Sequence, residues 1–186
     1  MPRFNPALAA AVVAGIALAL TAKSYFEAGS GGFASGGPAS LAGAPAQSFD
    51  VTGLDGRPQS LGAYRGRVVL LNLWASWCAP CRSETPALEK LYRQERARGL
   101  VVVGVDQGDS ADAARDFVRA LHLTYPIWLD DEQRYGRSYA AVGLPTSLVV
   151  APDGRIVRGI DGELTLAQMH EAVDDLLSSS VLHSRR

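Results

Sequence analysis

The chain has 186 residues, 47% of them hydrophobic and 20% charged, and a formal net charge of −1. That is ordinary material for one globular domain plus a short appendage. Acidic and basic residues are interspersed, with no Lys/Arg block longer than a pair, so the electrostatic footprint of a nucleic-acid binder is missing.

The chain opens with a short polar stretch, residues 1–5, carrying Arg3. It continues from Pro6 to Ala22 as "PALAAAVVAGIALALTA", which has no charge. About 17 apolar residues is the lower limit for crossing roughly 30 Å of hydrocarbon. A cleavable signal peptide has a shorter apolar region, of about 7 to 15 residues, ending in small side chains. Here Leu20 spoils the cleavage site in "LTA". An uncleaved signal anchor over residues 6–22 is therefore preferred to cleavage, and both to a soluble helix. No cysteine follows the run, which rules out a lipoprotein anchor. With positive charge kept on the cytoplasmic side, residues 1–5 would stay inside and everything after Tyr25 would lie outside. Residues 23–46, dominated by "AGSGGFASGGPASLAGAPA", cannot bury enough apolar surface to offset the entropy of ordering and read as a flexible linker. A folded domain is expected over residues 47–180, with a tail at 181–186.

Within that domain "FDVTGLDGRPQSL" reads as a β-hairpin, with Asp55-Gly56 at the turn. Residues 67–75, "RVVLLNLWA", form a continuous apolar strand of the kind buried on both faces. Leu88, Leu91 and Tyr92 then follow helical spacing until Gly99, with Pro86 expected to kink the helix. "LVVVGVD" (100–106) is a second buried strand, and Ala114, Phe117, Val118 and Leu121 mark an amphipathic helix. A short strand in "YPIWLD" and a short helix over Glu132 to Ala141 follow. "LPTSLVVAPDGRIVRGI" reads as a hairpin about Pro152-Asp153-Gly154. Leu166, Met169, Val173 and Leu176 mark the last helix, with Thr165 and Gln168 spaced as a capping box. Strands alternating with helices predict an α/β fold: a parallel central sheet with helices on both faces and antiparallel pairing added at its edge.

Both cysteines stand in "LNLWASWCAPCRSETP". Structural zinc needs four ligands and catalytic zinc three, whereas His122, His170 and His183 are scattered at unrelated spacings. A haem-attachment site needs His after the second Cys, where Arg82 stands. A structural staple across so small a loop removes little entropy from the unfolded chain. A redox couple fits the placement. A buried strand ends at Ala75 and a helix begins just past Trp77, which puts Cys78 at a helix N-terminus, where free amides and the dipole favour the thiolate. Such thiols fall from about 8.5 to about 3.5–7.5. Cys78 is then the exposed nucleophile, and Cys81 lies on the same helix face, in reach of a mixed disulfide. Pro80 sits in the first turn, where its missing N–H costs nothing.

"NLWASWCAPCRSETP", "VGLPTS" and "APDGRIV" with Gly159 together resemble the thioredoxin superfamily and, within it, the membrane-anchored thiol:disulfide oxidoreductases of the TlpA/ResA type, over residues 47 to about 178. The resemblance implies a thioredoxin fold with a mixed central sheet and an N-terminal β-hairpin extension. It also implies an extracytoplasmic, usually reducing, dithiol couple that needs no cofactor beyond the Cys78–Cys81 disulfide. Partners would be substrate proteins with disulfides or thiols and a membrane electron donor that restores the dithiol; cytochrome c maturation and copper-centre assembly are the family's best-known uses. Pro145 matches the family's cis-proline, which would face the disulfide and offer backbone to a substrate strand, with Leu144 shaping that surface. Trp77 and Pro80 would border the site.

Ordinary thioredoxins carry an acid six residues before the first Cys, and here that position is Asn72, which cannot accept the proton Cys81 must lose. Glu84, one turn after Cys81 and matching a glutamate of the TlpA/ResA type, could do so if partial burial raises its pKa. "APAQSF" lacks the family's usual acidic residue near the domain start. Two other readings remain. A thiol peroxidase of the peroxiredoxin type would carry Thr or Ser three residues before its reactive Cys and Pro four before that, against Ala75 and Leu71 here. A non-enzymatic Cu(I)-binding assembly factor would use the two thiolates, which suit the soft ion, though no third ligand is evident.

Overall fold

The computed structural model describes residues 37–183; the expected signal anchor at 6–22 lies outside them, as does most of the expected linker. Among the described residues no helix is long and apolar enough to cross a membrane. Seven strands form one mixed sheet: β1 (Val51–Gly53), β2 (Pro58–Gln59), β3 (Val68–Trp74), β4 (Leu100–Asp106), β5 (Ile127–Leu129), β6 (Thr146–Val150) and β7 (Ile156–Asp161). Their spatial order is β2-β1-β5-β4-β3-β6-β7. β3, β4 and β5 run parallel, while β6, β7 and the β1/β2 hairpin join antiparallel. The hairpin therefore extends one edge, as the sequence predicts.

Among the described residues four α-helices accompany the sheet: α1 (Ala79–Glu95), α2 (Ala111–Ala120), α3 (Arg134–Ser138) and α4 (Leu166–His183). The β3-α1-β4 and β4-α2-β5 crossovers step in the same direction across the sheet. Right-handed connections then place α1 and α2 on one face. That face packs Leu88 and Leu91 of α1, Phe117 of α2 and Met169, Val173 and Leu177 of α4 over Val68, Leu70 and Trp74 of β3. Strand side chains alternate, so Val69, Leu71 and Leu73 enter the opposite core with Trp128, Tyr135 and Tyr139. Even-numbered residues of β3, Asn72 among them, thus face the helix that carries the cysteines.

The polypeptide joins the domain earlier than the expected start at 47. Pro38–Leu41 forms a 3₁₀ turn with Pro38 buried. The next residues run beside β7: Gly43 N donates to Ile156 O at 2.8 Å, Ile156 N to Ala44 O at 2.9 Å and Ala46 N to Gly154 O at 2.9 Å. The apolar side chains of Pro38 and Leu41 and these edge hydrogen bonds outweigh the low-complexity composition that suggested a tether. Gly159 permits the approach, since a Cβ there would stand 2.2 Å from the Pro38 carbonyl oxygen.

One helix and the C-terminal end of the domain differ from expectation. α3 covers Arg134–Ser138 and not 132–141, bounded by left-handed Gln133 and Ala140. Its start is set by Asp130, whose carboxylate accepts from Arg134 N at 3.0 Å and Tyr135 N at 2.8 Å. α4 continues to His183, beyond the expected boundary at 180, because no Gly or Pro interrupts "LLSSSVLH". Its capping box forms, with Thr165 N donating to Gln168 Oε1 at 2.9 Å. α1 runs through Pro86 as one uninterrupted helix.

Candidate active site

β3 delivers the chain to the site. Asn72 and Trp74 point toward α1, and after Ala75 the backbone turns, with Cys78 N donating to Ala75 O at 3.1 Å. Cys78 is the N-cap of α1, and its Sγ accepts from Cys81 N at 3.2 Å. An N-cap side chain of this kind receives one of the free amides of the first turn, which favours a thiolate on the same atom once the bond opens. Pro80 occupies the first turn, exposed, as its lack of an N–H allows.

Cys78 and Cys81 form a disulfide, with Cα atoms 5.3 Å apart. Both belong to the α1-side core: Cys78 is 5% exposed and Cys81 1%. The expectation of an exposed Cys78 is therefore corrected. Packing against the apolar core leaves it a narrow opening to solvent, still wider than that of Cys81.

Glu84 lies one turn beyond Cys81 and is itself 1% exposed. Its Oε1 accepts from Asn72 Nδ2 at 2.7 Å and its Oε2 from Leu164 N at 2.6 Å. Asn72 also donates to Ser147 Oγ at 3.0 Å, and the two residues are direct register partners on β3 and β6. Burial pushes the Glu84 carboxyl from 4.5 up to about 7; the Leu164 N–H and the Asn72 amide oppose that rise, and nearby Glu163 adds to it. A buried carboxyl poised near neutrality, on the same helix face as Cys81, can take up and return a proton.

The Leu144–Pro145 peptide is cis, and Pro145 is buried, immediately before β6. The Pro145 carbonyl accepts from Gly162 N at 2.9 Å and that of Gly143 from Thr146 Oγ1 at 2.8 Å. The Leu144 N–H and C=O between them make no hydrogen bond among the described residues. Trp77 is 70% exposed, and Val142 is 79% exposed. Trp77, Val142, Leu144 and Arg137 line one cavity of about 300 Å³. A larger cavity of about 580 Å³, among Tyr64, Tyr92, Tyr125 and Trp128, shares no residue with the redox site.

The described residues include one cluster with metal-ligand chemistry, Glu95, His170 and Asp174. Arg98 already pairs with both of its carboxylates, at 2.7 and 3.3 Å, and the cysteines take no part. Ser147 and the Leu164 amide are site members that sequence reasoning missed. Period-2 counting along "LPTSLVV" would have put Ser147 on the α1 face, but its register against Asn72 needed the fold.

A model of the AhpC/TSA family matches residues 42–158. A thiol-disulfide oxidoreductase, ResA, of Bacillus thuringiensis subsp. konkukian is 33% identical over 129 residues, covering 69% of this chain and 75% of its own. Among solved structures, a thioredoxin-family thiol:disulfide interchange protein of Chlorobium tepidum superimposes with a TM-score of 0.66 at 28% identity, covering 72% of this chain and 95% of that one. StoA of Bacillus subtilis superimposes with a TM-score of 0.60 at 28% identity, covering 70% and 98%.

Proposed function

The chain belongs to the AhpC/TSA family and is a thiol-disulfide oxidoreductase of the ResA type, and we propose that it works as a reductant of protein disulfides outside the cytoplasmic membrane. The observation that carries this reading is the Cys78–Cys81 pair at the N-terminus of α1, with buried Glu84 one turn below. In the dithiol form, the Cys78 thiolate attacks one sulfur of a substrate disulfide; that bond breaks, a mixed disulfide forms and the first substrate thiol leaves. Cys81 gives its proton to Glu84 and attacks Cys78 Sγ, releasing the second substrate thiolate, which takes up a proton. Two electrons pass to the substrate and the protein is left as the disulfide described above.

The free Leu144 peptide supports docking of the substrate as an added strand, and exposed Trp77 and Val142 support recognition of apolar side chains beside its cysteine. The uncharged run at residues 6–22 supports an anchor that keeps the domain near a membrane dithiol donor and raises its effective concentration. The TlpA/ResA resemblance supports apocytochrome c or a copper-site protein as client. Incubating the reduced Cys81→Ser protein with membrane extracts tests this: clients should accumulate as mixed disulfides through Cys78. Trapping in equal amount by a Cys78→Ser, Cys81→Ser double variant would refute it.

A further inference from the structure

A second acidic residue sits behind the redox loop, at the end of β4. Asp106 is fully buried, 0% exposed, and neither of its side-chain oxygens makes a well-formed hydrogen bond, although the Asp109 backbone N–H lies near enough to favour its charged form. Its register partner on β3 is Trp74, whose indole N–H is also unpaired and gives it no compensation. An ionised carboxylate left this way is among the most costly arrangements in a protein interior. Its neighbour is another carboxyl, that of Asp109. The Asp109 carboxylate is engaged in turn: its Oδ2 accepts from Ser76 N at 2.5 Å. Ser76 precedes Cys78 by two residues, and its carbonyl accepts from Arg82 Nη1 at 3.4 Å. The peptide leading into the cysteines is thus gripped at both ends, by Asp109 and by Arg82.

We propose that Asp106 is a positioning residue for the redox loop: as a neutral carboxylic acid its O–H donates a hydrogen bond to the Asp109 carboxylate, Asp109 holds the Ser76 amide, and loss of the Asp106 proton frees the loop. Protonation converts one acceptor oxygen into a donor for the neighbouring Asp109 carboxylate. The charges acting on Asp106 are consistent with this. Burial and the Asp109 carboxyl, with a weaker push from Asp131, raise its carboxyl from 3.8 to about 8 against the opposing pull of the Asp109 backbone N–H. Arg82 of α1 is committed to Ser76 O and lies 5.5 Å over the Phe117 ring. Ionisation would set two like charges together and weaken the grip on Ser76. The consequence for catalysis rests on the Cys78/Cys81 reading; the grip itself does not.

NMR on the intact folded protein tests this without turnover, so a failure of the reductase reading would leave the result interpretable. The Asp106 carboxyl carbon should titrate in the alkaline range. Exchange protection of the Ser76 amide, corrected for base catalysis, should fall about tenfold or more from about pH 6.5 to about pH 9.5. In Asp106→Asn, whose amide can still donate to Asp109, Ser76 protection should stay level over that range, and in Asp109→Ala it should be low throughout. An Asp106 carboxyl titrating in the usual carboxylate range, or wild-type Ser76 protection indifferent to pH, would overturn the proposal, and both measurements are made on the wild-type protein.

Discussion

Asn72 Nδ2 donates to Glu84 Oε1 across 2.7 Å, joining the central strand to the cysteine-bearing helix in one buried polar contact. The strand member is an amide, which can hold a carboxylate but cannot accept a proton at neutral pH. Of these two side chains only the helix residue, Glu84, can take up a proton near neutral pH. Glu84 is neutral and charged in comparable measure near pH 7, as an acid and base for one thiol must be.

Folding stability should record this carboxyl. Below about pH 4.5 Glu84 is protonated in both the folded and unfolded chain. Between there and about 7 the unfolded chain ionises first and stability falls; above 7 both forms are charged and the penalty is constant. At about 1.4 kcal/mol per pH unit the loss is about 3 kcal/mol. Urea unfolding of wild type and Glu84→Gln should show their difference moving by about that amount in favour of the variant between low and neutral pH; parallel curves would contradict the burial argument. The slope from Asp106 occurs in both proteins and cancels.

Asn72→Asp places a second acid against Glu84 Oε1. The pair should then titrate as a unit, with one ionisation driven well above that of Glu84 alone. Stability at neutral pH should drop by at least about 1 kcal/mol, and the midpoint of the resolving step should move to higher pH. An unchanged midpoint in stopped-flow resolution would show that the two groups are not coupled.

Trp77→Ala removes a side chain that is 70% exposed, so the unfolding midpoint should shift by no more than about 0.5 kcal/mol equivalent. The loss should fall on protein substrates, as a raised KM, more than on small disulfides, because a small reagent cannot span the surface shared with Leu144. Equal losses on both substrate types would remove Trp77 from the docking surface.

Gly104→Ala probes the floor under Trp74. Its Cβ would stand 2.8 Å from Ile127 Cδ1 and 2.9 Å from Trp74 Nε1, where β4, β5 and β3 meet. Overpacking of this kind should cost about 1–3 kcal/mol and alter the fluorescence of Trp74, which stacks on Phe117 at 4.4 Å.

Much of this could be read in advance. The apolar runs at 67–75 and 100–106 announce buried central strands, and the placement of Cys78 before a helix identifies it as the N-cap, because both signals are local. Glu84 was legible as a candidate through its one-turn spacing from Cys81. Its partners were not: Leu164 lies 80 residues away, and Ser147 meets Asn72 only through the β3–β6 register. The docking of residues 38–46 was hidden for a related reason, since a Gly/Ala/Ser/Pro segment carries no periodicity and its hydrogen bonds depend on a strand edge formed far along the chain. Asp106 reads as the unremarkable end of a strand until its burial and the Asp109 carboxyl beside it are seen together.

The claim that Glu84 receives the Cys81 proton meets its most direct test in the resolving step itself. A mixed disulfide is preformed between Cys78 and a substrate thiol, and its release by Cys81 is followed in single turnover across pH, for wild type and Glu84→Gln. The wild-type rate should rise through an ionisation near 7. The variant should lack that ionisation and be slower at neutral pH by roughly 10²-fold. The same pH profile and rate in both proteins would contradict the account and leave Glu84 a buried structural acid.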